Sequence, residues 1–160
     1  MTSKTFKGEL GGLEGADAKC QELAAAARHP LPGTYRAWLS SFRGQDPLHR
    51  FTRSDAPYVR TDGTVIAQNW NDLLYYLAAP IDVDESGNHL EIAGPAMAWT
   101  GTEPDGTDNG RENCSGWEQS DGGGSPSFGS GGHYTDIDGK WTANAFQECR
   151  SSAHLYCFRQ

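Results

Sequence analysis

Oxygen-bearing side chains are concentrated between residues 101 and 145 of this chain. Calcium in proteins takes about six to eight oxygen ligands, mostly from carboxylates, amides and carbonyls. The carboxylate and amide side chains of this region are Glu103, Asp105, Asp108, Asn109, Glu112, Asp136, Asp138 and Asn144. They supply enough ligands for one calcium ion, which makes calcium the candidate cofactor.

Two aromatic residues of the same region, Tyr134 and Trp141, are candidates for stacking on a ligand. The tryptophans at 38, 99 and 117 lie in or beside predicted strands, where large aromatic side chains usually belong to the core. The predicted ligand-binding residues are therefore Glu103, Asp105, Glu112, Tyr134, Trp141 and Asn144.

The sequence carries no recognisable catalytic motif such as a nucleophile elbow, a phosphate-binding loop or a zinc-protease helix. Its formal net charge of −8 repels nucleic acids and other polyanions. No apolar stretch reaches the roughly 20 residues needed to cross a bilayer. We therefore expect a non-catalytic protein that neither binds nucleic acid nor inserts into a membrane.

The chain has four cysteines, at positions 20, 114, 149 and 157, and none of them forms a CxxC pair. This spacing disfavours a zinc or thioredoxin-like site and favours two disulfides, for which three pairings are open. Disulfides indicate an oxidising compartment, so we expect a secreted or cell-surface protein. The export signal would then have been removed or would belong to a longer secreted or surface protein of which this chain is part.

The elements that must position these residues are indicated by periodicity and by turn residues. With Gly at 20 positions and Pro at 8, an all-helical fold is disfavoured. The apolar stripe after Gly15 predicts an amphipathic helix that ends before Pro30. Asn69 predicts the start of a short helix through Leu77. Strands are predicted at 35–40, 97–100 and 154–158. Residues 101–139 are predicted to be irregular, with a flexible glycine- and serine-rich tip at 121–132.

The order and spacing of four motifs resemble the C-type lectin-like fold, and most closely its endostatin-like branch. These motifs are Gly15-Ala16-Asp17-Ala18-Lys19-Cys20, Gly33-Thr34-Tyr35-Arg36-Ala37-Trp38-Leu39-Ser40-Ser41, Trp99-Thr100-Gly101-Thr102-Glu103-Pro104-Asp105-Gly106 and Cys114-Ser115-Gly116-Trp117. The resemblance covers residues 8 to 158. It implies an α+β fold with a mixed, mostly antiparallel sheet, one or two helices and a long irregular loop. We expect one domain over 1–160, with its core at about 6–158.

The resemblance also implies a disulfide pairing and a ligand set. It pairs Cys20 with Cys157 and Cys114 with Cys149. C-type lectins hold calcium with a Glu-Pro-Asn or Gln-Pro-Asp tripeptide, a later Glu and a Trp-Asn-Asp. Here Glu103-Pro104-Asp105 and Glu112 match in part, whereas Trp141-Thr142-Ala143-Asn144 replaces the last tripeptide. The predicted metal ligands are Glu103, Asp105, Asp108, Glu112, Asp136 and Asp138.

Taken with the resemblance, these residues predict an extracellular, non-catalytic binding module. Its 101–145 region would recognise carbohydrate, with calcium as the metal that steadies the loop. The alternative is a structural or adhesive domain of a surface protein that binds a protein partner without metal or sugar, which the missing tripeptide favours. The expected partner is accordingly a glycan or a cell-surface protein.

Overall fold

The computed structural model describes residues 1–92, 96–110, 112–120 and 127–160. The helices are α1 (Gly12–Ala26), α2 (Pro47–Arg50), α3 (Trp70–Tyr75) and α4 (Cys114–Trp117), with a 3₁₀ turn at Gly139–Trp141. The strands are β1 (Tyr35–Ala37), β2 (Tyr58–Val59), β3 (Val65–Ala67), β4 (Met97–Trp99), β5 (Phe128–His133), β6 (Ala145–Glu148), β7 (His154–Leu155) and β8 (Cys157–Arg159).

The described strands form three small sheets. The largest has the order β6-β5-β4-β7, and the two others pair β1 with β8 and β2 with β3. All of these pairs are antiparallel except β4 with β7, which is parallel. The predicted mixed α+β architecture with mostly antiparallel sheets and few helices is confirmed. Since β1 pairs with β8, the strand after the first helix lies beside the carboxyl end of the chain.

The first helix forms where its apolar stripe predicts it. Ala16, Cys20, Leu23 and Ala24 are buried along one face of α1. This face packs against β1. The Asp17 carboxylate on the helix accepts a hydrogen bond from the Ala37 amide of β1 at 2.9 Å, which ties the strand to the helix. The helix ends at Ala26, and Ala27 has already left the helical conformation three residues before Pro30.

The prediction that residues 101–139 contain neither helix nor strand is wrong, because β5 is the longest strand described and lies inside the largest sheet. Its Phe-Gly-Ser-Gly-Gly-His sequence looks irregular because glycine normally weakens a strand. Here the neighbours leave no room for side chains. A Cβ at Gly131 would lie 2.3 Å from the Ala98 oxygen, and one at Gly132 would lie 1.9 Å from the Trp141 oxygen. The predicted flexible tip lies partly in β5, and its residues 121–126 are outside the described part of the chain.

The larger part of the core is built around the fully buried Trp38. Its ring centroid lies 5.6 Å from that of Phe51, 5.8 Å from Trp70, 5.0 Å from Trp141 and 5.7 Å from Phe158. The second part contains Trp99 and Trp117, also fully buried, with centroids 5.6 Å apart. The prediction that the tryptophans at 38, 99 and 117 are core residues is confirmed.

Both disulfides join the cysteines that the resemblance pairs. Cys20 on α1 is bonded to Cys157 on β8, with 5.5 Å between their Cα atoms. Cys114 on α4 is bonded to Cys149, with 5.6 Å between their Cα atoms. Crosslinks across 137 and 35 residues each stabilise the fold by about 3–5 kcal/mol in the chain-entropy model. The structure therefore carries two covalent ties, one near the chain ends and one at the base of the long excursion.

No helix in the described ranges is both long and apolar enough to cross a bilayer.

Gly132→Ala tests the close packing of β5. We expect a loss of at least about 3 kcal/mol in the free energy of unfolding, because the new methyl group would overlap backbone atoms that cannot turn away. Gly44→Asn is the control, since Gly44 has open space around it and a positive φ that asparagine tolerates. Urea unfolding of both variants measures the difference, and equal stability of the two would contradict this account of the strand.

His154 should make stability depend on pH. Burial lowers its pKa below the ordinary value of 6.5, while its Nδ1 lies 2.7 Å from the Thr2 carbonyl oxygen. A lowered folded pKa means that the unfolded chain binds the proton more tightly, so this contribution is complete above pH 6.5 and is lost as pH falls below it. We expect His154→Asn, which keeps a donor but does not titrate, to lose less stability than the parent between pH 7.5 and pH 5 in urea unfolding. Ala25→Ser, a change at an exposed and non-titrating residue of α1, should follow the parent, and parallel curves for all three proteins would refute the assignment.

Candidate functional site

Three of the predicted metal ligands lie on one tight turn. Thr102 and Asp108 form an isolated antiparallel bridge that closes it. Within the turn, the exposed Asp105 accepts hydrogen bonds from the Thr107 amide at 3.0 Å and from its hydroxyl at 2.6 Å. Glu103 is half-buried. The Asp105 carboxylate therefore already shapes the turn, as aspartates often do.

Asp108 is the member of this turn with an unused oxygen. Its amide donates to Asp46 Oδ2 at 3.3 Å, and its own Oδ1 is buried without a hydrogen-bond partner in the described part of the chain. Asp46 is 2% exposed, and its Oδ1 lies 2.6 Å from His49 Nδ1. The Asp46 side chain also caps α2 through the His49 amide. The buried Asp46 carboxylate thus holds the Asp108 backbone, and one oxygen of the Asp108 side chain lacks a partner among the described residues.

The other predicted ligands are divided among three places. Asp136 and Asn144 both approach His133: Asp136 Oδ2 lies 3.7 Å and Asn144 Nδ2 lies 2.9 Å from its Nδ1. Asp138 caps the 3₁₀ turn by accepting from the Lys140 amide at 3.0 Å. Glu112 is exposed, and its carbonyl accepts from the Ser130 amide of β5 at 2.8 Å.

The acidic turn at 102–108 and the acidic segment at 136–138 meet where Pro104 packs against Gly139. A Cβ added to Gly139 would lie 2.9 Å from Pro104 Cγ. Even so, within residues 1–92, 96–110, 112–120 and 127–160 no three His, Cys, Asp or Glu side chains are grouped closely enough to hold a metal ion. Any cation bound here would need backbone, water or ligand oxygens to complete its coordination.

The two predicted stacking residues are in the wrong place for that role. Trp141 is fully buried and Tyr134 is 3% exposed. Trp141 packs between Trp38 and Tyr156, and Tyr134 makes an edge-on contact with His154. Neither ring can stack on a ligand without unfolding this part of the core, so this prediction is corrected: both are structural residues.

The neighbouring Thr142 explains why Trp141 points inward. Thr142 is fully buried; its hydroxyl accepts from Trp38 Nε1 at 2.8 Å and donates to the Thr102 carbonyl at 3.0 Å. Its carbonyl accepts from the Thr100 hydroxyl at 2.5 Å. Within the segment that replaces Trp-Asn-Asp, Thr142 is therefore a buried polar link, while Asn144 is exposed.

The two most exposed aromatic residues of the described part of the chain lie instead at the end of α3. Asn69 caps this helix by accepting from the Asp72 amide at 3.1 Å, as the sequence predicts. The helix buries Trp70, Leu73 and Leu74, and leaves Tyr75 63% and Tyr76 72% exposed. Two adjacent tyrosines, each more than half exposed, are the largest aromatic surface among the described residues.

The backbone that follows these tyrosines is held on both sides. The Leu77 amide donates to the Ile137 carbonyl and the Ala78 amide to the Ile66 carbonyl, each at 2.8 Å. The first bond joins the end of α3 to the segment that carries Asp136 and Asp138. The second bond joins it to β3. The tyrosine pair thus projects from a tethered backbone next to the acidic segments.

A groove of about 360 Å³ lies beside the pair, and we call it the tyrosine groove. Buried Ile66 and Ala67 contribute to its wall, and its polar and aromatic lining residues are Gln68, Asn71, Asp72, Tyr75 and Tyr76. In the described part of the chain, the side chains of Gln68 and Asn71 have no hydrogen-bond partner. Exposed rings next to unpaired amides can contact an apolar face and polar groups of the same ligand.

A larger groove of about 550 Å³ lies beside α1, but its two arginines and Asp17 already have structural roles. Arg50 donates to Asp17 at 2.7 Å and to the Leu39 carbonyl at 3.0 Å. Arg36 donates to the Arg50 carbonyl. These contacts hold α1, β1 and α2 together, so the tyrosine groove is the stronger candidate for ligand binding.

Sequence reasoning missed Tyr75 and Tyr76, although a signal was present. In a helix from Trp70, the inward stripe falls on Trp70, Leu73, Leu74 and Leu77. Tyr75 and Tyr76 fall outside this stripe and were therefore predictable as exposed. That α3 joins the acidic segments depends on contacts between distant parts of the chain, which periodicity does not report.

The fold and its surface define a two-disulfide, mixed α+β domain with an exposed tyrosine groove. Residues 3–137 match the family described as "Protein of unknown function (DUF1554)", and the chain belongs to this family. A comparison with curated proteins finds no match.

Proposed function

We propose that this chain is a non-catalytic extracellular binding module of the C-type lectin-like fold, in its endostatin-like branch, and that it recognises carbohydrate at the tyrosine groove. The observation that carries the proposal is the exposed pair Tyr75 and Tyr76 beside the amides of Gln68 and Asn71, which have no hydrogen-bond partner among the described residues. A sugar ring has an apolar face that stacks on an aromatic ring and hydroxyls that bond to amides and carboxylates.

The fold assignment is supported by the two disulfides and by the pairing of β1 with β8. The helix that follows the N-terminal segment is crosslinked to the last strand, and a second disulfide lies at the base of the long excursion. Antiparallel pairing of β1 with β8 brings the same two regions together. The extracellular location is supported by the disulfides, which persist in oxidising compartments.

Calcium in the 101–145 region is a separate part of the proposal. It is supported by Asp108 Oδ1, which is buried and has no hydrogen-bond partner among the described residues, in a residue whose amide donates to the buried Asp46. A buried carboxylate oxygen normally has a hydrogen bond or a cation. Glu103 and Asp105 on the same turn, and Asp136 and Asp138 on the adjoining segment, would be the further ligands, with water to complete the coordination.

The alternative is a structural or adhesive domain that binds a protein partner without metal or sugar. It is favoured by Ile137, which is 45% exposed and whose backbone is bonded to Leu77 directly after the tyrosine pair. An apolar and aromatic patch of this kind also suits a protein interface. Carbohydrate binding that depends on the tyrosines would count against this alternative.

A glycan array probed with chelator-treated protein, with and without added calcium, tests the carbohydrate proposal. We expect binding to neutral glycans that falls at least about tenfold in Tyr75→Ala and in Tyr76→Ala, because each change removes an exposed ring from the groove. Phe146→Ala is the matched control, since Phe146 is an aromatic residue on β6 that is 50% exposed and lies outside the groove. Silence on the array under both conditions, or equal losses in all three variants, would remove the proposal.

Calcium titration by calorimetry, followed by thermal unfolding, tests the metal. We expect heat of binding and a rise in Tm on adding calcium, because an ion that binds only the folded state stabilises it. Asp108→Asn should abolish both effects, since it removes the charge of the unpartnered carboxylate, whereas Glu22→Gln, a change at an exposed residue of α1, should preserve them. If calcium gives neither heat nor a Tm shift, the metal proposal fails while the groove proposal stands.

A further inference from the structure

A second cavity adjoins the tyrosine groove. Its volume is about 370 Å³, and we call it the arginine cavity. Its lining residues are Arg53, Asp55, Asn69, Trp70 and Asn71. Asn71 lines both spaces, so the two cavities meet at this residue.

The side chain of Asn71 is suited to contact a ligand that passes from one cavity to the other. It is exposed and has no hydrogen-bond partner in the described part of the chain. An amide offers two donors and one acceptor oxygen. One ligand crossing this point can therefore use both ends of the amide, whereas a ligand confined to one cavity would leave part of it to water.

Arg53 gives the arginine cavity a positioned donor. One end of its guanidinium, Nη2, donates to the Leu48 carbonyl at 3.0 Å, and its Cζ lies 5.8 Å from the centroid of the Trp70 ring. Over the described residues it forms no ion pair with a carboxylate. A planar guanidinium placed over an aromatic ring keeps further N–H groups for hydroxyl or carbonyl oxygens.

The charge of the chain as a whole disfavours acidic ligands, since it is formally −8. The charged residues that line the two cavities are Asp72 in the tyrosine groove and Asp55 and Arg53 in the arginine cavity. A polyanionic chain is repelled by the overall charge and attracted only locally by Arg53, whereas a neutral sugar chain finds a carboxylate acceptor in each cavity and a donor at Arg53.

The volumes of the two cavities also bear on the class of ligand. Ligand sites for small molecules measure about 300–1,000 Å³, and each cavity by itself lies at the lower end of this range. Used together, they suit a ligand of several linked rings.

We propose that the ligand is a neutral oligosaccharide that runs past Asn71 and fills both cavities, rather than a single terminal sugar. This inference rests on the proposed carbohydrate function and deepens it by naming the ligand class and its path. The tyrosines contact one part of the sugar chain, and Arg53 donates hydrogen bonds to the next.

The test is an affinity series measured by calorimetry with neutral glucose-, mannose- and N-acetylglucosamine-based oligosaccharides of one to six units. We expect the affinity for the series that binds to rise at least about tenfold between the shortest binder and the three- or four-unit chain, and then to level off, since no further contacts are added. An oligosaccharide containing uronic acid should bind more weakly than its neutral counterpart of equal length.

Two variants show which cavity supplies the gain in affinity for longer chains. Arg53→Ala should lower the affinity for long chains by about tenfold and leave the shortest binder unaffected, whereas Tyr75→Ala should weaken both. Arg43→Ala, a change at an exposed arginine outside both cavities, is the control. Circular dichroism and Tm show whether each variant is folded, and Asn71→Ala offers a second probe of the path.

The outcomes separate this inference from the proposed function. Binding that does not depend on chain length, or that Arg53→Ala leaves unchanged, overturns the two-cavity path while the carbohydrate function stands. Preference for the acidic chain overturns the assignment to neutral sugars. Absence of binding to every oligosaccharide, at every length, overturns both proposals.

Discussion

The buried crosslink between Cys114 and Cys149 is the constraint on which the rest of this structure depends. It lies between two glycines: a Cβ at Gly8 would be 2.3 Å, and one at Gly129 would be 2.7 Å, from Cys114 Sγ. The chain before α1 and the start of β5 can therefore both approach the sulfur atoms. Around the crosslink, Cys114, Ser115 and Trp117 take positive φ values of 51°, 55° and 66°. Such backbone is costly for these residues and persists only where its surroundings hold it in place.

This arrangement determines which surfaces are available to a ligand. The strand β5 is anchored at the crosslink. Its glycines therefore leave room for the backbone of Ala98 on one side and of Trp141 on the other. Trp141 then enters the core beside Trp38, and the Thr142 hydroxyl completes the polar link to Trp38. The aromatic residues closest to the predicted loop are thereby used for folding. Exposed aromatic surface is left at the end of α3, where Leu77 and Ala78 tether the chain.

Much of the local structure was predictable because it depends on neighbours along the chain. The stripe of α1, the Asn69 cap of α3 and the strand at Met97 follow from short-range periodicity and capping. The site was less predictable. Carboxylates between 101 and 145 were identified, but Asp105 is engaged by Thr107 and Asp138 by Lys140, and Asp46, the buried partner of Asp108, lies 62 residues away in the chain. Composition counts potential ligands and does not show which of them already have partners.

Two crosslinks, the mixed α+β character, the negative charge and the apolar stripes of the helices could be inferred from residue types and their spacing. Long-range packing was needed to show that a glycine-rich segment is an inner strand, that Tyr134 and Trp141 are core residues and that Tyr75 and Tyr76 border a groove. The physical reason is close packing: whether a glycine is a flexible point or a place where two backbones meet, and whether an aromatic ring is buried or exposed, depends on which distant residues occupy the adjoining space.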